Sequence, residues 1–168
     1  MQEPDPPAPE AVSPPTFYVP GTFRSDQSVG YLMRNVLRSI RDHANQRLAA
    51  HDLTYVQWLP LYKLAKNEGN TVAGLARELE IDAGAMTRAM DRLEAKGLVR
   101  RERSVEDRRV VLLALTPEGR KVARRVPAVL SDVLNGHLDG FSVAEWEQLQ
   151  ALLRRMVVNG QALRETDR

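Results

Sequence analysis

The segment RRERSVEDRRVVLLALTPEG, which begins at Arg100, constrains the fold of this chain more than any other feature. Residues 98–103 and 110–115 have the length of β-strands, the second is apolar throughout, and the six mainly charged residues SVEDRR separate them. Two short strands joined by such a polar loop predict a β-hairpin with an exposed tip. We expect the hairpin to be anchored where its apolar ends meet the body of the protein.

Apolar residues in most of the remaining sequence recur at the three- and four-residue spacing of an amphipathic helix. Helices are predicted to begin near residue 28, at Thr54, at Thr71, at Asp82, after Thr116 and at Ser142. Capping boxes mark two of these starts, and Gly97 suits a helix C-terminus. The order of elements predicts a mainly α fold with a small β-hairpin wing, a winged helix-turn-helix flanked by long helices.

Composition excludes several classes of function. The 168 residues include no cysteine, which excludes disulfides and thiolate chemistry. No stretch is long and apolar enough to span a bilayer, and the N-terminus lacks a signal-peptide pattern, so we expect a cytoplasmic protein without membrane contact. The glycine loops and nucleophile motifs of common enzymes are missing, so neither catalysis nor a cofactor is expected.

The helix that begins at Asp82 is predicted to turn small and charged residues outward. With Met86 facing the core, a rotation of about 100° per residue defines the outward face and its flanks. These positions are Gly84, Ala85, Thr87, Arg88, Asp91 and Arg92. A first turn of small residues allows the backbone N–H groups to approach DNA phosphate, while Thr87 and Arg88 can reach the major groove. Taken alone, the same charges are equally consistent with a solvated surface.

The predicted hairpin adds cationic residues to this helix. Between Arg88 and Arg109 there are eight lysines and arginines and five aspartates and glutamates, a local excess of three positive charges. Most of the cations are arginine, whose planar guanidinium suits phosphate and narrow minor grooves. The whole chain carries a net charge of only +2, so a nucleic-acid surface would have to be local.

The run MTRAMDRLEAKGLVRRERSVEDRRVVLLALTPEGR resembles the signature region of MarR-type bacterial transcription regulators, and the similarity extends from about residue 28 to residue 163. The resemblance implies that Thr87 and Arg88 serve the major groove of double-stranded DNA and that Arg109 enters the minor groove. It also implies that Arg108 lies near phosphates and that Asp107 braces the wing arginine through a salt bridge.

This sequence departs from the family pattern at three positions. Ala85 stands where a hydroxyl residue is common, which weakens the case for base readout from the first turn. Val105 replaces a common proline at the entry to the wing, which puts the rigidity of the tip in question. Pro60 lies inside the second helix, where it removes a backbone hydrogen bond.

The resemblance further implies a homodimer that binds a pseudo-palindromic operator, most commonly as a repressor. Residues 25–53 would then form an N-terminal dimerisation helix, residues 54–117 the DNA-binding domain and residues 118–168 the C-terminal dimerisation helices. Residues 1–24, with seven of the ten prolines, are predicted to be a disordered tail. The expected interface residues are Val36, Trp146, Leu149 and Leu153.

Regulators of this family are commonly released from DNA by a small phenolic or aromatic acid, and the resemblance implies such an effector. We expect four residues to contact it: Arg34, His43, Trp58 and Tyr62. The guanidinium suits a carboxylate, and the aromatic rings suit stacking. A histidine on an apolar helix face is more often a core residue or a dimer contact, and a hydrophobic staple already accounts for the tryptophan.

Two other interpretations are weighed against a DNA-binding regulator. A metal sensor is not expected, because His43, His51 and His137 lie apart in the sequence without ligand spacing. A winged helix used only for protein–protein contact would have the same fold without sequence-specific DNA binding. The DNA contacts of Arg88 and Arg109 distinguish these alternatives.

Overall fold

The chain is described by a computed structural model over residues 16–66 and 71–166. Its helices and strands are α1 (Val29–Leu48), α2 (Tyr55–Ala65), α3 (Val72–Glu78), α4 (Ala83–Ala95), β1 (Val99–Arg103), β2 (Val111–Leu115), α5 (Pro117–His137) and α6 (Val143–Thr166). Short 3-10 turns occur at Pro20–Thr22, Ser25–Gln27 and Ala49–His51. The mainly helical fold with a two-stranded wing is confirmed. Residues 1–15 of the predicted tail lie outside the described residues.

The chain divides into two compact units, residues 1–36 and residues 37–168. In the first unit, the hydroxyl oxygen of Tyr18 accepts a hydrogen bond from the backbone N–H of Val29 at 2.9 Å. The Tyr18 ring also packs edge to face against Phe23, with centroids 5.8 Å apart. This side chain therefore satisfies a backbone donor at the start of α1, which a helix cannot satisfy internally.

The core of the second unit lies between α2, α3, α4, the hairpin and α5. The four residues predicted to face inward from α4, Met86, Ala89, Met90 and Leu93, are all buried. They pack with buried residues of the other elements, including Leu61, Leu75, Val99, Leu113 and Val126. The sequence periodicity of α4 therefore predicted its buried face correctly.

Helix α2 begins at the predicted capping box. The Gln57 side chain accepts the backbone N–H of Thr54 at 3.1 Å, and the Thr54 side chain caps the first turn in return. Asn45 on α1 accepts the N–H of Tyr55 at 2.7 Å. Pro60 lies inside the helix and is buried.

The hairpin is joined to its flanking helices by close backbone packing. Gly97 ends α4 with φ +67°, a left-handed conformation that suits glycine, and Thr116 caps α5 by accepting the N–H of Gly119 at 3.0 Å. The Thr116 hydroxyl also donates to the carbonyl of Gly97 at 2.6 Å. A Cβ at Gly119 would lie 1.9 Å from the carbonyl oxygen of Leu98, so only glycine fits there.

Helix α6 begins at the second capping box, where the Glu145 carboxylate accepts the N–H of Ser142 at 2.8 Å. The backbone and hydroxyl hydrogen bonds from Ser142 lower the pKa of Glu145 below its usual value. None of the described residues of α6 is buried.

We expect Gly119→Ala to destabilise the second unit by at least about 2 kcal/mol, because the methyl group overlaps the Leu98 backbone and forces α5 away from the hairpin. Chemical denaturation followed by circular dichroism measures the change. The matched control is Gly136→Ala on the same helix, where a Cβ meets no atom within 4 Å. That substitution should leave stability unchanged or raise it by up to about 1 kcal/mol. Equal stability of the two variants would contradict the close approach.

Candidate nucleic-acid interface

Helices α3 and α4 form a helix-turn-helix whose turn covers the four residues before α4. Within the turn Glu80 has φ 50°, and the N–H of Ile81 donates to the carbonyl of Ala76 at 2.9 Å. Thr71 caps the first helix by accepting the N–H of Gly74 at 3.0 Å. The two helices pack directly on each other, so the turn fixes the direction in which α4 leaves the core.

The outward face of α4 carries the exposed side chains that its periodicity predicted. Thr87, Arg88, Asp91 and Arg92 are exposed, whereas Gly84 and Ala85 are half-buried. Arg88 and Arg92 also line a cleft of about 150 Å³ together with Thr54 and Gln57 at the start of α2. The outward face of α4 and the N-terminus of α2 therefore form one continuous surface.

The first turn of α4 is less available to phosphate than its small residues suggested. Asp82 caps the helix by accepting the N–H of Ala85 at 2.9 Å, so a carboxylate occupies the position expected for phosphate. The hydroxyl of Thr87 donates to the carbonyl of Ala83 at 2.8 Å, which leaves its oxygen as an acceptor. The expectation of unpaired N–H groups at Ala85 is therefore wrong.

Three of the eight cations that the sequence placed near DNA are paired with carboxylates. Arg101 binds Asp91 and Glu94, each at 2.6 Å, and these contacts, led by the hydrogen bond with Asp91, raise the pKa of Arg101 above its usual value despite its partial burial. Arg100 pairs with Glu102 at 2.7 Å, and Lys96 pairs with Asp52 at 3.1 Å. The sequence analysis missed these pairings, because it counted the charges between Arg88 and Arg109 without pairing them and did not include Asp52.

Five arginines of this region lie beyond 4.0 Å of any carboxylate within the described residues: Arg88, Arg92, Arg103, Arg108 and Arg109. The unpaired carboxylates are Glu106 and Asp107. The positive excess of three charges therefore persists, but it is concentrated on the outward face of α4 and at the tip of the hairpin. Both places are exposed, so these guanidinium groups are available to an anionic ligand.

Side-chain hydrogen bonds organise the wing tip. The Ser104 hydroxyl accepts the N–H groups of Glu106 and Asp107 at 3.2 and 3.3 Å. The Asp107 carboxylate accepts the N–H of Arg109 at 2.9 Å. A tight turn then closes as the N–H of Val110 donates to the carbonyl of Asp107 at 2.9 Å. The tip is thus held without the proline that Val105 replaces.

The role expected for Asp107 needs correction. Its carboxylate binds the backbone of Arg109 and makes no ion pair with the guanidinium. Residues 107–110 form a turn, so Asp107 and Arg109 do not lie on one side of an extended strand. Aspartate and serine commonly bind backbone N–H groups two residues ahead, and that preference is the signal by which Ser104 could have been found.

A separate hollow of about 540 Å³ lies between the second half of α1 and the end of α5. We call it the His43–His137 hollow; its lining residues are Ser39, His43, Gln46, Arg47, Asp132, Val133, Gly136 and His137. The two histidine rings lie 5.2 Å apart, although the sequence analysis regarded them as isolated. His137 contacts the Ser39 hydroxyl at 3.0 Å and the Val133 carbonyl at 2.7 Å.

The other predicted effector residues have different surroundings. Trp58 packs between Tyr55 and Tyr62 on α2, with centroid distances of 6.2 and 6.5 Å. Arg34 lies over the ring of Tyr31 at 5.3 Å, within the first unit. Trp58 and Tyr62 do not line the hollow that contains His43, so the four-residue set remains a prediction.

Comparison with known proteins shows what the winged helix-turn-helix segment is similar to. Residues 53–111 match the sequence model of the MarR family. This segment, about a third of the chain, is similar to the MarR family. Over 98 residues the chain is 38% identical to the HTH-type transcriptional regulator TtmR of Methylorubrum extorquens (strain PA1), covering 58% of this chain and 49% of TtmR. Over 101 residues it is 34% identical to the organic hydroperoxide resistance transcriptional regulator of Bacillus subtilis (strain 168), covering 60% and 65% respectively.

Solved MarR-type structures share the architecture over most of the chain. The Staphylococcus aureus MepR–DNA complex is 25% identical with a TM-score of 0.72, covering 79% of this chain and 98% of MepR. Bordetella bronchiseptica BpsR, studied for regulation of its DNA binding by 6-hydroxynicotinic acid, is 24% identical with a TM-score of 0.71, covering 80% and 96%. The winged helix of this chain thus has the architecture of a protein that has been crystallised with DNA.

Among the described residues, nine large apolar side chains on α6 are exposed, and ten more lie between Phe17 and Leu37. The interface residues predicted on α6, Trp146, Leu149 and Leu153, are 42%, 37% and 37% exposed. In the first unit, Val36 is 53% exposed. Since such side chains gain free energy when they leave water, these surfaces are suited to contact with another protein.

Two further observations concern the described residues only. They contain no group of three or more histidines and carboxylates that could hold a metal ion. They also contain no helix with the length and hydropathy needed to cross a bilayer.

Proposed function

We propose that this chain is a DNA-binding transcription regulator that recognises a pseudo-palindromic operator as a homodimer and acts as a repressor in the cytoplasm. The observation that carries the proposal is the set of five arginines without carboxylate partners on α4 and the wing. They flank a surface in which the remaining cations of the region are neutralised by pairing. The names of the two curated relatives, both regulators, support the same function.

Helix α4, which we call the recognition helix, would enter the major groove. Arg88 has the length and the planar donors for the edge of guanine or for phosphate, and the Thr87 oxygen can accept a hydrogen bond. The Asp82 cap disfavours phosphate at the helix start, because like charges repel. Contacts from this helix would therefore come from its side chains more than from its N-terminal backbone.

The wing would follow the adjacent backbone into the minor groove. Arg109 lies at the turn held by Asp107, and a preformed turn loses less conformational entropy when it binds. Arg108 and Arg103 line a shallow hollow beside Ser104 and would serve the flanking phosphates. The crystallised complex of MepR with DNA supports DNA binding by this fold.

We expect Arg88→Ala and Arg109→Ala each to weaken operator binding by roughly 1–3 kcal/mol, which is about 5- to 150-fold. The operator is first selected from a random pool of duplexes, and affinity is measured by fluorescence anisotropy. Arg125→Ala, which removes an exposed arginine from α5, is the matched control and should bind like the wild type. Unchanged binding in both test variants would favour the alternative, a winged helix that contacts only proteins.

Dimerisation is supported by the exposed apolar residues of α6. An isolated helix that buries none of its described side chains would leave a large apolar area in water, and a second copy of the chain would cover it. The exposed side chains of Trp146 and Leu153 make them candidates for the strongest contacts.

We expect Trp146→Ala and Leu153→Ala to raise the dimer dissociation constant by roughly 30-fold, or about 2 kcal/mol each. Analytical ultracentrifugation measures the constant. The unfolding midpoint of the winged helix-turn-helix should change little, because neither residue is buried in its core. Glu147→Gln on the same helix is the control. Dimers as tight as the wild type in both alanine variants would argue against this interface.

A small aromatic or phenolic acid is proposed as the releasing effector, and the His43–His137 hollow is the site that best supports it. Its histidines and Arg47 offer donors to a carboxylate, and its volume suits a single-ring ligand. Arg47 contacts Asp132 only weakly, at 3.8 Å, so it can reorient toward a ligand. The regulation of BpsR by 6-hydroxynicotinic acid is a precedent within the same fold.

A panel of hydroxybenzoates and hydroxynicotinates tests this site through release of labelled operator. We expect His43→Ala to raise the effector concentration that releases half of the operator by about 10-fold, because the variant loses one hydrogen bond to a charged group. Its binding to the operator without effector should not change. Ser131→Ala on α5, outside the lining residues, is the control. If Trp58→Ala impairs release and His43→Ala does not, the effector binds beside α2 instead.

A further inference from the structure

Arg101 lies where the wing meets the recognition helix, and its contacts distinguish it from the other arginines of the surface. Its Nη2 is 2.6 Å from Asp91 Oδ1, and its Nη1 is 2.6 Å from Glu94 Oε2. The two carboxylates are three residues apart, on the same side of α4, so one planar guanidinium spans both. We call this arrangement the Arg101 bridge. Its arginine is 30% exposed, so solvent screens the contacts only in part.

The register of the hairpin shows why this position matters. Arg101 pairs with Leu113, and the neighbouring pair on the same face of the hairpin is Val99 with Leu115. Val99, Leu113 and Leu115 are buried, whereas the next pair toward the tip, Arg103 with Val111, is exposed. The Arg101 bridge is therefore the contact nearest the tip between the inward face of the hairpin and the body.

The bridge also controls charge on the surface that would face DNA. Asp91 lies on the outward face of α4 with Arg88 and Arg92, and an unpaired carboxylate there would repel phosphate. Because the Arg101 guanidinium pairs with Asp91, it is not available to bind DNA. Its role is then to orient and neutralise its neighbours.

We propose that Arg101 is a positioning residue for DNA recognition, which sets the angle of the wing relative to the recognition helix through Asp91 and Glu94. The proposal rests on the DNA-binding function proposed above. The positioning role makes a prediction that differs from one based on net charge alone. Removing the two carboxylates lowers the negative charge near DNA, yet it should impair specific binding because the wing loses its brace.

The experiment compares the full-length double variant Asp91→Asn/Glu94→Gln with the wild type on two duplexes of equal length, the selected operator and a scrambled sequence. We expect the double variant to bind the scrambled duplex more tightly than the wild type does. Its ratio of specific to non-specific affinity should fall about 3- to 10-fold, as expected from the loss of a small ion-pair network. The matched control Glu102→Gln/Glu106→Gln removes the same number of carboxylates, but from the wing, and leaves the Arg101 bridge intact. It should leave the ratio unchanged.

Two further variants separate positioning from direct contact. Arg101→Met should lower the ratio as much as the double variant, and adding it to the double variant should change the ratio little. The salt dependence of binding is the slope of the logarithm of the DNA-binding constant against the logarithm of salt concentration. If adding Arg101→Met to the double variant lowers the magnitude of this slope by about 0.9, Arg101 itself contacts phosphate, and the proposal is overturned. Thermal unfolding of each variant identifies any loss of folded protein.

The results also separate this inference from the proposed function. A wild-type ratio close to one overturns sequence-specific binding, and the positioning role with it. A wild-type ratio well above one that the double variant and Arg101→Met both preserve overturns the positioning role alone. A fall in the ratio for both, with the control unchanged, establishes it.

Discussion

The burial of Met86, Met90 and Leu93 is the constraint on which the rest of the surface formed by α4 and the wing depends. When these side chains are in the core, the rotation of the helix directs Arg88 and Arg92 toward solvent. The same helix ends at Gly97, whose left-handed conformation turns the chain into β1. The recognition surface and the base of the wing are thus set by one packed helix.

Local signals in the sequence were sufficient to predict most of the fold. Capping boxes, the glycine after α4 and the apolar spacing of each helix act over four or five residues, and the structure has elements at all of these places. Gly119 illustrates the limit of such signals. Its identity is required by the Leu98 carbonyl, a contact that exists only after the hairpin and α5 have packed.

The predicted site differed from the structure mainly in its pairings. Charge counting found the arginines but could not separate Arg101, which binds two carboxylates, from Arg88, which binds none within the described residues. Likewise, His43 and His137 meet only because α1 and α5 pack together, although 93 residues separate them in the sequence. Distances between such residues depend on tertiary structure, and no spacing in the sequence encodes them.

The positive excess of this region is small, and its distribution has a thermodynamic meaning. Attraction to phosphate scales with the number of available cations, so in the proposed DNA-binding role the pairing of three of them would limit affinity for arbitrary DNA. The remaining arginines are held on a rigid helix and a hydrogen-bonded turn, where their geometry can discriminate among sequences. A regulator gains selectivity by reducing background attraction as well as by adding contacts.

The close contact between Gly119 and Leu98 holds the first turn of α5 against the base of the hairpin. The helix starts at this contact and ends at His137, so its 21 residues form an arm of roughly 30 Å. A rotation of about 5° at the fixed end moves the far end by roughly 3 Å, comparable to the shifts of helices at regulated interfaces. A displacement at the histidine end of such an arm would turn α5 about this contact, next to the base of the wing.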